Sequence, residues 1–374
     1  MEAAIVRSWP RDTMTKRFTG LDSIRGIAAT VVVISHVFML NGTAVPLYIP
    51  FDVDKLARLS VIIFFVLSGF VLTLSYNFER PNYYSFLVKR ICRIYLPFAI
   101  ATILLAIPYN AITDSHPNLK LGVGYWTNDL TVSAFLGHLF MSGMRGTAFL
   151  NVPIWSLIIE MRASILFPLL LIVAMRFRWL TIVVAPALCV VAGKVFVHLG
   201  GDNFFEANSF LSAIALTAYY FSFFVAGIFL ALKRTALIST FDRIANWAHI
   251  AAFCAVYPVA LILLNKFIMQ DILYATIAAH AILCCVAMPK VNKALSTPML
   301  AWLGKISFSL YLIHLPIMMY VIYLLDPMIA PLAASLISLP LVFVMAQIYN
   351  LLVEQPTMKL GKFLTTPRRA VATQ

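Results

Sequence analysis

Long apolar runs separated by short polar connectors dominate this chain. The runs recur at 22–41, 59–77, 91–109, 152–175, 179–199, 210–232, 247–265, 271–289, 301–325 and 331–353. A hydrocarbon core of about 30 Å takes about 20 helical residues to cross. The pattern therefore predicts an all-α polytopic membrane protein with about ten transmembrane helices. The stretch 132–148 is apolar but short, and is expected at the outer interface. Residues 1–44 join a long basic start to the first run, and no small-x-small site here precedes a soluble remainder, so they read as a retained signal anchor. The expected organisation is a leader at 1–21, a membrane domain at 22–353 and a tail at 354–374, with no soluble C-terminal domain.

Composition agrees with this pattern. Hydrophobic residues make up 62% of the chain and charged residues 11%, where a soluble domain carries about 25% charged. The formal net charge of +13 would suggest nucleic acid in a soluble protein, but here it follows the connectors. Most of the 28 Lys and Arg fall at 7–25, 80–93, 176–178, 233–243, 290–305 and 359–369, which alternate along the runs. Placing those segments in the cytoplasm puts both termini there. No nucleic-acid partner is expected. Cys92, Cys189, Cys254, Cys284 and Cys285 lie in or beside apolar runs, without disulfide or metal-ligand spacing among them. Neither a disulfide framework nor a zinc site is expected, and no metal is assigned.

Few charged or titratable groups enter the runs, so those that do are candidates for chemistry. Arg25 and His36 are eleven residues apart in the first run. On a helix they share one stripe within about 20°, and the imidazole lies about 16 Å further along. A neutral imidazole in a dry site is a base suited to deprotonating a hydroxyl. Glu160 is the acid expected well inside a run, about 12 Å below the outer edge by helical rise and so at a depth similar to His36. It either meets His36 or is satisfied by Arg162 or another cation. His280 and His314 reach comparable depths, with helix packing the expected role for His314. His116, His138, His198 and His249 fall at loops or interfaces. Arg90 and Arg93, three apart at the mouth of the third run, can converge on one phosphate, or simply anchor the helix at the membrane face. No Gly-x-Ser-x-Gly, Walker, Gly-x-Gly-x-x-Gly or His-Glu-x-x-His motif occurs, so serine hydrolase, ATPase, dinucleotide enzyme and zinc protease readings lose their main support.

Several segments, in order, resemble the acyltransferase-3 family of integral membrane acyltransferases. They are Leu21-Asp22-Ser-Ile-Arg25-Gly26-Ile-Ala28-Ala29 leading to His36, then Phe64-Phe65-Val-Leu-Ser68-Gly69-Phe70 and Arg90-Ile-Cys-Arg93-Ile-Tyr-Leu-Pro97. Trp155-Ser156-Leu-Ile-Ile-Glu160 and Ser307-Phe-Ser309-Leu-Tyr311-Leu-Ile-His314 follow. The residues after Glu160 depart from the family pattern in lacking an aromatic pair. The resemblance implies ten membrane helices, acetyl-CoA or another acyl-CoA as donor substrate with no permanently bound cofactor, and a carbohydrate-type acceptor. With the residue reading it implies donor binding by Arg25, Arg90 and Arg93, catalysis by His36 as base or through an acyl-histidine intermediate, with Glu160 orienting its ring or sharing the proton, and Trp155 and Ser156 on the acceptor side. A multi-pass protein of a bacterial inner membrane is the expected setting. The competing class is a transporter or flippase of an anionic or lipid-linked molecule with the buried charges as a relay; the missing pair of matched, interrupted halves weakens it.

Overall fold

The computed structural model describes residues 18–40, 53–76, 82–114, 126, 129–146, 150–264 and 266–366, without the side chains of Leu261 and Ile262. Among these residues helix is the dominant regular structure, and one isolated bridge joins Met144 to Ala207. The chain order is α1 (Thr19–Met39), α2 (Val53–Ser75), α3 (Tyr83–Asp114), a short α4 (Val132–Leu139) and α5 (Trp155–Ile165). It continues with α6 (Phe167–His198), α7 (Phe210–Phe241) and α8, which is built of Asn246–Ala251, a π turn at Ala252–Val256 and Tyr257–Leu263. The last elements are α9 (Phe267–Ala287), a short α10 (Pro289–Leu295), α11 (Pro298–Leu325) and α12 (Pro331–Thr365).

Eight helices among the described residues are long and apolar enough to cross a membrane: α1, α2, α3, α6, α7, α9, α11 and α12. The polytopic all-α architecture is the expected one. The difference from ten runs has two local causes. The runs 152–175 and 179–199 meet in α6, where Arg178 takes a positive φ of 50° and breaks the helix. The run 247–265 becomes the three-piece α8.

Helices α1 and α11 pack along each other most extensively, followed by α2 with α7 and the second half of α6 with α7; α12 lies on α11. Small residues set the first two crossings. A Cβ at Gly26 would meet the backbone of Leu303 and Gly304, and one at Gly304 would meet that of Asp22. At the other crossing, Gly69 faces the Phe224 carbonyl and Gly227 faces that of Val66. Lipid supplies no hydrophobic drive between helices, so close backbone approach of this kind is what holds them. The first apolar run is thus an integral part of the bundle.

At both ends the helices extend past the apolar runs. Helix α1 begins at Thr19 and ends at Met39, which leaves His36 in its last turn. The final helix passes 353 and continues to Thr365, with Gly361 against Cys92 and the Lys89 backbone. Glu354 is a buried group within this helix.

Candidate active site

His36 is buried in the last turn of α1, and its Nδ1 lies 2.9 Å from the Val32 carbonyl oxygen one turn earlier. A carbonyl can only accept, so Nδ1 carries the proton and Nε2 carries the lone pair. His314 of α11, fully buried, is held in the same way: its Nδ1 is 2.8 Å from the Tyr311 oxygen and 3.2 Å from that of Leu310. Its own Nε2 lone pair then faces His36 Nδ1 at 3.4 Å, and the two rings meet edge to face with centroids 5.0 Å apart. The His36 N–H is shared between a carbonyl and an imidazole. Its Nε2 keeps its lone pair, with no hydrogen bond to a described residue. Sequence reasoning gave His314 a packing role; the structure makes it the direct neighbour of His36.

The second group of residues forms where α1, α3 and α5 meet. Arg90 donates from Nη2 to Glu160 Oε1 at 2.8 Å and from Nε to Ser164 Oγ at 3.0 Å. Ser68 of α2 donates to the same Glu160 oxygen at 3.1 Å. The fields of Arg93, Glu160, Asp22 and Arg90 all act on Arg25, so the three arginines named from the sequence converge. Arg25 also lies 3.9 Å from Asp22 one turn before it. Arg90 is buried, Arg25 is half-buried and Arg93 is exposed, which grades the cluster from interior to mouth. Glu354 of α12 joins it by acting on Arg93, and its Oε2 accepts from Ser309 at 2.6 Å and from Asn350 at 2.7 Å.

Glu160 thus stands with the arginines, and its side chain makes no hydrogen bond to His36 among the described residues. The segment that leads into α5 is itself packed inside the bundle. Leu150, Asn151, Pro153 and Ile154 are already buried, and Asn151 donates to the Leu312 carbonyl at 2.7 Å, midway along α11. Arg162, the other possible cation for Glu160, instead donates to Thr217 at 2.7 Å and to the Ser142 carbonyl at 2.8 Å.

Ser156 links the two groups. Its Oγ is 2.7 Å from the Tyr311 hydroxyl, which donates to the Pro153 carbonyl at 3.0 Å. Tyr311 is one turn from His314, with ring centroids 5.9 Å apart, and it feels the charge of Glu160. Trp155 points elsewhere, among Tyr220, Phe205 and Phe65 at centroid distances of 5.0, 5.2 and 6.1 Å. Beside that aromatic group lies an ion pair the sequence reading missed. Arg58 donates from Nε and Nη2 to the two carboxylate oxygens of fully buried Asp271 at 2.6 and 2.5 Å. It stacks over Phe267 at 3.8 Å. Both residues sit near helix starts, where a charge ordinarily reads as a membrane-face residue.

A third polar group, also missed, joins α8 to α9. His249, His280 and Cys284 bring one donor atom each within 4.8 Å of one another. His280 and Cys284 are one helical turn apart, a usable signal that spacing among cysteines alone conceals.

A bundle of apolar helices long enough to cross a membrane, with a buried imidazole pair at one end of α1 and an arginine cluster towards the other, defines a polytopic membrane protein. The chain belongs to the acyltransferase-3 family, whose model, described as an acyltransferase domain, matches residues 18–351. It is a multi-pass membrane acyltransferase. No curated protein and no solved structure matches the chain.

Proposed function

We propose that this acyltransferase moves an acetyl group from acetyl-CoA to a hydroxyl of a carbohydrate acceptor, such as an exported polysaccharide or oligosaccharide. The observation that carries the reading is His36, whose N–H is spent on Val32 so that Nε2 is the lone-pair face. An acceptor hydroxyl gives its proton to Nε2 as its oxygen attacks the thioester carbonyl. The C–S bond then breaks, and the thiolate leaves to be protonated. The CoA phosphates are held by exposed Arg93 and half-buried Arg25, forks suited to bidentate anion binding. Arg90, committed to Glu160 and Ser164, acts mainly as the frame that keeps this cluster open. Family membership favours acyl transfer over the transport reading. The alternation of basic connectors supports cytoplasmic termini and a donor arriving from the cytoplasm, in a bacterial inner membrane.

Incubating the detergent-purified protein with acetyl-CoA and a panel of glycans tests this directly. Free CoA thiol should appear in step with acetylated glycan, and mass spectrometry should find the gain of one acetyl unit. Failure of every carbohydrate, with transfer to a lipid or peptide acceptor instead, would replace the acceptor class. A preference for longer acyl-CoAs would replace acetyl.

A further inference from the structure

The polar group between α8 and α9 lies apart from the His36 and Arg25 groups and is built like a metal site. His249 Nδ1 is 3.0 Å from His280 Nε2, and the other nitrogen of His280, Nδ1, is 2.6 Å from the Tyr257 hydroxyl. Cys284 supplies a thiol one turn from His280, and the three donor atoms lie within 4.8 Å of one another. His249 and Cys284 are buried and His280 is half-buried. Both rings are clamped: His249 stacks on Phe241 at 3.9 Å and 12°, and His280 on Phe253 at 4.7 Å and 24°. Rings held this way cannot easily turn their nitrogens aside.

The backbone supports the same reading. His249 and Tyr257 are eight residues apart, which on a regular helix leaves them about 80° apart. The π turn at Ala252–Val256 absorbs one residue, returning Tyr257 to within about 20° of His249. Both can then reach His280.

We propose that His249 Nδ1, His280 Nε2 and Cys284 Sγ bind a borderline transition-metal cation of the zinc class. The Tyr257 oxygen accepts the His280 Nδ1–H and so fixes the tautomer that ligation needs. Two imidazoles and a thiolate are a donor set suited to zinc, and a histidine ligand normally donates its remaining N–H to an oxygen. The distances require only small movements. On a tetrahedral ion with Zn–N of about 2.05 Å and Zn–S of about 2.3 Å, donors stand about 3.4 Å (N to N) and about 3.6 Å (N to S) apart. The imidazoles part by a few tenths of an ångström and the thiol closes by about 1 Å. On binding, the thiol proton leaves to solvent and the proton between the imidazoles moves to an outer nitrogen. The ion would tie the end of α7 and the start of α8, through Phe241 and His249, to the last turns of α9. This site stands independently of the proposed acyl-transfer chemistry.

The test uses full-length, chelator-stripped protein in detergent, titrated with Co2+ and then with Zn2+. Co2+ should give a near-ultraviolet thiolate charge-transfer band at one ion per chain, discharged by Zn2+. The band should vanish in Cys284→Ser and persist in Cys254→Ser. Affinity should fall at least about 100-fold in His280→Ala and about 10-fold in Tyr257→Phe. Should the variants fail to fold, the wild-type protein still decides the matter, because Zn2+ should slow alkylation of buried Cys284 relative to the chelator-stripped protein in mild denaturant, while exposed Cys254 reacts at the same rate in both. No thiolate band up to millimolar Co2+, or a band that survives Cys284→Ser, or unprotected Cys284 at saturating Zn2+, would overturn the site.

Discussion

His36 and His314 are adjacent imidazoles with the same proton placement and different access. In both, Nδ1–H is given to a carbonyl of the preceding turn, but His314 directs its Nε2 at His36 while His36 keeps its Nε2 for another partner. General-base catalysis contributes about 10²–10⁴ in rate. His36→Ala is therefore expected to cut acyl transfer at least about 100-fold, measured as CoA release, while the protein still elutes as a folded species. His314→Ala should cost less, because it removes only a neighbour of the base; the reverse order would make His314 the base. The arginines should separate in the same assay. Arg93 is exposed, so Arg93→Ala is expected to raise the donor KM and leave the melting temperature unchanged. Arg90→Ala strips Glu160 of its cation and should also lower stability. Breaking a fully buried pair costs about 3–5 kcal/mol, and the partial exposure of Glu160 (side chain 21% accessible) reduces that. Arg90→Ala with Glu160→Gln should recover part of the lost stability in a thermal melt, since no charge is then stranded.

Three π turns carry or flank much of this polar machinery, and each precedes a proline by the same interval. Ile91–Tyr95 is followed by Pro97, Ala252–Val256 by Pro258 and Asn350–Glu354 by Pro356. Proline has no N–H for the carbonyl four residues back and its ring crowds that carbonyl, so the turn before it widens. Pro186, Pro316 and Pro340 lie within helices without such a turn, so packing must also favour it. Pro97→Ala removes the ring that widens this turn without removing a residue, so closing the turn should swing Arg90 by about 100° from Glu160. The expected result is loss of activity in a protein that still folds; full activity would make the wide turn incidental. These turns explain what could be read from the sequence and what could not. The apolar runs, the stripe shared by Arg25 and His36 and the closeness of Arg90 to Arg93 follow from a 3.6-residue period, whereas Arg25 joins the other arginines only through the family resemblance. The Arg90–Glu160 pair depends on a buried entry segment at 150–154 that hydropathy reads as a boundary. Glu354 was hidden because its apolar run ends one residue earlier, although the helix continues. The His249–His280 contact joins residues distant in sequence, and periodicity says nothing about such pairs.

The molecule as a whole separates its two candidate groups along α1. Arg25 and His36 share a stripe about 16 Å long, with Glu160, Arg90 and Arg93 gathered at the Arg25 end and His314 at the His36 end. The close α1–α11 crossing at Gly26 and Gly304 leaves those two helices little freedom to slide, so the separation is a fixed property of the bundle. Gly304→Val should force the helices apart and shift His314 from His36, lowering both the melting temperature and the rate. A donor bound at the arginines and an acceptor deprotonated at His36 would then arrive from opposite faces. Vesicles can decide this. With the protein reconstituted, acetyl-CoA added only outside and the glycan acceptor sealed inside, acetylated glycan should accumulate in the lumen while CoA thiol is released outside. The yield should follow the fraction of molecules whose C-terminal tag a protease added outside can remove, because that fraction presents the basic connectors outward. Product formed only when both substrates share one compartment would refute two-sided access. The acyl chain would then have to reach His36 from the same face as its acceptor, and Arg25, Arg90 and Arg93 would lose their assignment as the far-side anchor of the donor.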